Sequence, residues 1–160
     1  MALRDRPRRP AMLAVLLVAV LGCEDESGDA DAGASEPVAL DAEPELELPE
    51  GSPPTSLAVH DLIEGDGEPV TDGAVLTLHY LGSTWEGQRF ASTWERGQPL
   101  SYEHGQGRWV AGWESGLEGM RAGGQRRIIV PPELGYGQRG APGVPDGATL
   151  VFVVELVGVD

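Results

Sequence analysis

Apolar and polar side chains alternate along several short stretches in the second half of this chain. Leu76, Leu78 and Tyr80 alternate with Thr77 and His79, the period of a strand with one face buried. Leu150, Phe152, Val154 and Leu156 alternate with Val151, Val153 and Glu155, and Ile128 and Val130 share one face of a further strand after Gly123-Gly124. Gly87 marks a turn, and Gln88 to Thr93 reads as a returning strand. One stretch departs from this period: Val110, Trp113, Leu117 and Met120 line one face of a helix that Gly123-Gly124 ends. Several antiparallel strands with one short helix predict an α+β domain, its sheet wrapped on the helix.

These signals begin only after Leu57, and 160 residues leave room for one domain and some extra. Residues 24–56 hold eleven acidic residues and no basic ones, within a net charge of -15 and a sequence without lysine. This acidic stretch has no aromatic residue, so it cannot bury enough apolar surface to offset its ordering entropy. It reads as a disordered acidic linker over 23–56, and the overall negative charge argues against a nucleic-acid partner.

Ahead of it, Arg4, Arg6, Arg8 and Arg9 precede an apolar run from Ala11 to Leu21, shorter than the roughly 20 residues a membrane-spanning helix needs. A basic region followed by a short apolar one is the pattern of a signal peptide, here 1–22; a core helix or signal anchor is the other reading. The run ends at Val20-Leu21-Gly22-Cys23, which resembles a bacterial lipobox. The resemblance implies that Cys23 is lipidated and becomes the mature N-terminus, with plain secretion as the alternative. Cys23 is the chain's single cysteine, so neither an internal disulfide nor a Cys-rich metal site can form.

None of the usual catalytic sets is present. His60, His79 and His104 show no metal-ligand spacing; His79, on the outward face of its strand, reads as a solvated surface residue. No serine sits in a Gly-x-Ser-x-Gly elbow, and no Gly-rich stretch joins a strand to a helix as a phosphate loop does. What stands out is aromatic: Tyr80, Phe90, Trp109, Trp113, Tyr136 and Phe152, which taken alone read as core.

Five runs in order change that reading. They are Leu78-His79-Tyr80-Leu81-Gly82, Gly87-Gln88-Arg89-Phe90, Val110 to Leu117, Pro131-Pro132-Glu133-Leu134-Gly135-Tyr136-Gly137, and Gly147-Ala148-Thr149-Leu150-Val151-Phe152. Across 57–160 the chain resembles an FKBP-type peptidyl-prolyl cis-trans isomerase domain. The resemblance implies five to six antiparallel strands curled around one short helix, with a pocket between them. It places Trp113 at the pocket floor and Tyr80, Phe90 and Phe152 on its walls. It gives Val110 a backbone N–H for a substrate carbonyl, puts Trp109 at the rim, and gives Tyr136 a hydroxyl near the turning bond. Arg96, Leu100 and the overhanging loop with Val144 complete the substrate-binding set.

Such a pocket needs no nucleophile, metal or cofactor. Two departures from the family pattern stand out. Ala91 follows the wall Phe90 where the family has an aspartate that braces Tyr80 and Arg96; Tyr80 is then expected to turn to Glu95 or water. The loop at Gly143-Val144-Pro145-Asp146 is one residue short. The partners implied are proline-containing polypeptides, FK506-type macrolides and a membrane through the lipid. The chain is expected to be a monomer in the cell envelope, on the periplasmic side or outer membrane. A proline-binding or holdase module with little catalysis is the alternative reading, favoured by Ala91.

Overall fold

A computed structural model of the chain describes residues 43–160. The expected signal peptide, Cys23 and most of the acidic linker lie outside the described residues.

Six strands form one antiparallel sheet in the order β1-β5-β6-β2-β3, with β4 also on β2. They are β1 (Ala58–Ile63), β2 (Val75–Thr84), β3 (Arg89–Ser92), β4 (Leu100–Glu103), β5 (Gln125–Val130) and β6 (Leu150–Val159). The two ten-residue strands, β2 and β6, pair at the centre, with Leu78 opposite Leu156, Tyr80 opposite Val154 and Gly82 opposite Phe152. Residues directly opposed share a face, so the register carries the alternation seen in the sequence onto one apolar surface. Ile128 and Val130 of β5 join it opposite Phe152 and Leu150. The outer edge of β2 is shared: β4 pairs its first half and β3 its second. Between β3 and β4 the chain makes a single helical turn, α1 (Thr93–Arg96), started by the Ser92 hydroxyl accepting from the Glu95 N–H and ended at left-handed Gly97. The returning strand expected to reach Thr93 therefore stops at Ser92.

The main helix, α2 (Ala111–Leu117), lies on the apolar face of the sheet. It approaches β5 closely because a Cβ on Gly112 would strike Val130, and one on Gly116 would come within 2.5 Å of Ile128. The helix is shorter than its apolar spacing suggested. Gly119 turns the chain at φ +69°, and Met120, two per cent exposed, is buried from a turn whose carbonyl accepts from the Val70 N–H. Arg126, on the core face of β5 opposite Val154, fastens the end of α2. Its Nη1 donates to the carbonyls of Gly116 and Glu118, and its Nε lies 2.5 Å from Asp61 on β1. A cation here also suits the negative end of the helix.

His79 is not a solvated surface residue. It is half-buried, its Nδ1 lies 3.0 Å from the Thr93 hydroxyl, and its ring stacks on Trp94 at 5.1 Å. The α1 turn, invisible to a period-two reading, supplies both neighbours.

Residues 43–56 carry no helix or strand, yet they touch the sheet. Arg89 donates to the Glu43 carboxylate at 2.6 Å, the Ser92 hydroxyl donates to the same oxygen, and Arg127 donates to the Glu47 carbonyl. Pro44 and Glu47 border a groove with Leu62, Arg127 and Val153 on the face away from α2. On that face Leu81, Val151 and Val153 are at most two per cent exposed. Removing residues 1–56 should therefore lower the melting temperature by about 5 °C or more relative to a chain starting near residue 37, as differential scanning calorimetry would register; equal melting temperatures would show that these contacts contribute nothing.

Candidate functional site

Trp113 projects from α2 and is fully buried. Burial of an indole requires a partner for its N–H, and Tyr102 of β4 supplies it: Trp113 Nε1 donates to the Tyr102 hydroxyl at 2.8 Å. Burial is the largest cause pushing the Tyr102 hydroxyl well above its ordinary value, so it stays protonated. Three more rings surround the indole. Tyr80 and Phe152 meet it edge-on at 5.1 Å each, and Trp109 stacks on it at 5.4 Å and 28°.

One wall depends on a missing side chain. The β2–β3 ladder slips between Gly82 and Ser83, leaving Phe90 as the extra residue, and such a bulge re-aims a side chain. The Phe90 ring then meets Phe152 edge-on at 5.8 Å above Gly82, where a Cβ would lie 2.9 Å from one ring and 3.1 Å from the other. The loop after β5 is tied to this wall by Gln88 Nε2 donating to the Gly143 carbonyl, and Val144, six per cent exposed, joins the core from it.

Val110 caps the start of α2. Its carbonyl accepts from the Trp113 N–H at 2.9 Å, while its own N–H makes no hydrogen bond among the described residues. Tyr136 is 39% exposed in the bridge region of backbone space, φ −90° and ψ 4°. Partial burial first, and the neighbouring Tyr80 phenol second, raise its hydroxyl, keeping it a donor.

Of the residues singled out in the sequence, Tyr80, Trp113, Val144 and Phe152 are buried in one core cluster. Phe90, Leu100, Trp109 and Val110 pack against it. Tyr136 enters through its neighbour Tyr80, and Arg96 by donating to the Tyr80 hydroxyl at 3.1 Å. Tyr80 thus takes Arg96 as its partner, in place of the Glu95 or water expected; Glu95 lies near Arg89 instead. Sequence reasoning missed Tyr102, whose signal was its alternation with Ser101 and Glu103, and missed why position 82 is glycine. Among the described residues no group of three His, Cys, Asp or Glu is placed to hold a metal, and no helix is long and apolar enough to cross a membrane.

An aromatic floor on a short helix, walled by a curled antiparallel sheet, defines a class, and comparison with known proteins agrees. The model of the FKBP-type peptidyl-prolyl cis-trans isomerase family matches residues 66–157. An FK506-binding protein of Streptomyces anulatus is 43% identical over 119 residues, covering 72% of this chain and 96% of the relative. That share exceeds the 104 of 160 residues from Leu57 onward, so the likeness reaches back into the segment that touches the outer face. The mouse peptidyl-prolyl cis-trans isomerase FKBP2 is 46% identical over 89 residues, covering 55% of this chain and 64% of the relative. Among solved structures, AtFKBP13 superposes with a TM-score of 0.62 at 33% identity, over 68% of this chain and 96% of that one. FkpA from Escherichia coli gives 0.61 at 36% identity, over 65% of this chain and 48% of that one. The chain belongs to the FKBP-type peptidyl-prolyl cis-trans isomerase family.

Replacing Tyr102 with Phe leaves the Trp113 N–H buried without an acceptor, which costs about 1–3 kcal/mol. Urea unfolding of Tyr102→Phe should show that loss with an unchanged m-value. A loss below about 0.5 kcal/mol would mean that the bond contributes little net stability.

Proposed function

We propose that this chain accelerates rotation about X-Pro bonds in exported or envelope proteins, as a lipid-anchored monomer, through desolvation and hydrogen bonding in the aromatic pocket. The observation that carries this reading is the joining of Tyr80, Phe90, Trp113 and Phe152 into one apolar cluster of rings. The physical reason lies in the amide. Rotation breaks resonance across a barrier of about 18–20 kcal/mol. Resonance places negative charge on the carbonyl oxygen, and water stabilises that planar form. An apolar pocket removes the water and weakens the planar state relative to the twisted one. Fixed donors, the Tyr136 O–H and the Val110 N–H, then hold the carbonyls in the twisted geometry. Each 1.36 kcal/mol of preference is tenfold in rate.

Family membership and the name of the Streptomyces relative, an FK506-binding protein, support FK506-type macrolides as competitors for the same pocket. The basic and apolar leader ending at Cys23 supports export and acylation. In this reading 57–160 carries the activity and the acidic residues before it hold it off the membrane.

A protease-coupled or NMR exchange assay on a proline peptide tests the activity. The full chain should speed isomerisation, Phe90→Ala should lower kcat/KM by about tenfold or more, and an FK506-type macrolide should inhibit. Peptide binding without any acceleration would replace the isomerase reading with that of a proline-binding module. In a bacterial host, Cys23→Ser should move the protein from the membrane to the soluble fraction, and an unmodified Cys23 in intact mass analysis of the native protein would remove the anchor.

A further inference from the structure

Arg96 is the last residue of α1, the turn that separates β3 from β4 along the edge of β2. It is exposed, its Nη2 donates to the Tyr80 hydroxyl at 3.1 Å, and its guanidinium carbon lies 5.9 Å from the centre of the Tyr80 ring. No carboxylate of the described residues is within ion-pair distance of it. Its sequence neighbour Glu95 approaches Arg89, the other arginine ion pairs join Arg89 to Glu43 and Arg126 to Asp61, and Glu114 lies beside His104. The Tyr80 oxygen accepts from Arg96, and the phenol's own hydrogen finds no acceptor among the described residues. A phenol O–H and most of the N–H donors of an adjacent guanidinium thus stand without an anion among the described residues.

These donors belong to the rim of the pocket, since the Tyr80 ring meets both Trp113 and Trp109 edge-on. In the free protein, water solvates the exposed Arg96 guanidinium, while Tyr80 beside it is four per cent exposed. A substrate that covers the rim with apolar groups displaces that water and returns nothing, which weakens binding. A substrate carboxylate there would accept from both, in the planar paired geometry that favours arginine over lysine.

We propose that Arg96 and Tyr80 form a carboxylate-binding subsite, through which the chain selects proline segments carrying an aspartate or glutamate beside the proline. The proposal rests on the reading of the aromatic pocket as the proline site. It makes a local exception to a chain whose net charge of -15 disfavours acidic partners elsewhere on its surface.

The test uses the full chain and peptides capped at both termini, so that a side chain carries the only carboxylate. Glu, Gln, Leu or Lys is placed directly before or after the proline. Dissociation constants come from tryptophan fluorescence and kcat/KM from the isomerisation assay. At one of the two positions Glu should bind about three- to tenfold more tightly than Gln, and the ratio should shrink as salt is raised. Arg96→Leu should bring the ratio to one. Ala91→Asp should do the same from the neighbouring strand. Ala91 lies opposite Gly82 in the ladder, two residues along β2 from Tyr80, and packs against the core, so this variant supplies an in-chain carboxylate to compete with that of the peptide. Equal affinity for Glu and Gln at both positions overturns the proposal, as does a preference that survives Arg96→Leu. If Arg96→Leu loses its circular dichroism signature, Ala91→Asp and the salt series decide. If no peptide is turned over, the isomerase reading fails, while the Glu-to-Gln binding ratio still decides the subsite.

Discussion

The burial of one indole organises this molecule. Trp113 has no exposed surface, and enclosing a side chain of that size contributes roughly 5 kcal/mol from area alone. That gain exists only if α2 lies close against the sheet, which the bare backbone of Gly112 and Gly116 allows, and only if the indole N–H finds Tyr102. The same contacts bring Tyr80 and Phe152 to the edges of the ring. The packing that stabilises the fold therefore also gathers the aromatic residues of the proposed site around one ring.

Around that floor, absences matter as much as side chains. Gly82 leaves the space in which Phe90 and Phe152 meet, and the ladder slip beside it turns Phe90 toward them. Ala91, next along the strand, brings no carboxylate, and Arg96 pairs with none among the described residues. Two arginines, one on β5 and one closing α1, illustrate different uses of the same charge. Arg126 is largely buried and fully engaged, by Asp61 and the last carbonyls of α2, and so serves stability. Arg96 is exposed, bonded to a phenol, and open on its remaining donors, which suits recognition.

The segment before the first strand adds a third layer of meaning. Its acidic, aromatic-free composition describes a tether, yet Glu43 and Glu47 end up against Arg89 and Arg127 on the outer face. A carboxylate that solvates the chain in isolation, that of Glu43, becomes an anchor once β3 presents Arg89, and Arg127 of β5 takes the backbone carbonyl of Glu47. Composition carries no information about such pairings, because it says nothing of which surface lies opposite.

The sequence by itself determined the sheet. Period-two alternation at 76–80 and 150–156 sends alternate side chains to one face, and burying that face admits few arrangements. It also determined the family, through ordered runs whose spacing is that of an FKBP-type domain. What it could not determine were the features that depend on neighbours distant in the chain. The length of α2 was set by Gly119 and the turn around Met120, not by apolar spacing, and the α1 turn placed Trp94 and Thr93 beside His79 and Arg96 beside Tyr80. The Trp113–Tyr102 bond, the glycine beneath two phenylalanine rings and the choice of Arg96 over Glu95 as the partner of Tyr80 arise from contacts between residues 8 to 70 positions apart. Local pattern fixes which way a side chain faces; only the closed structure fixes what it faces.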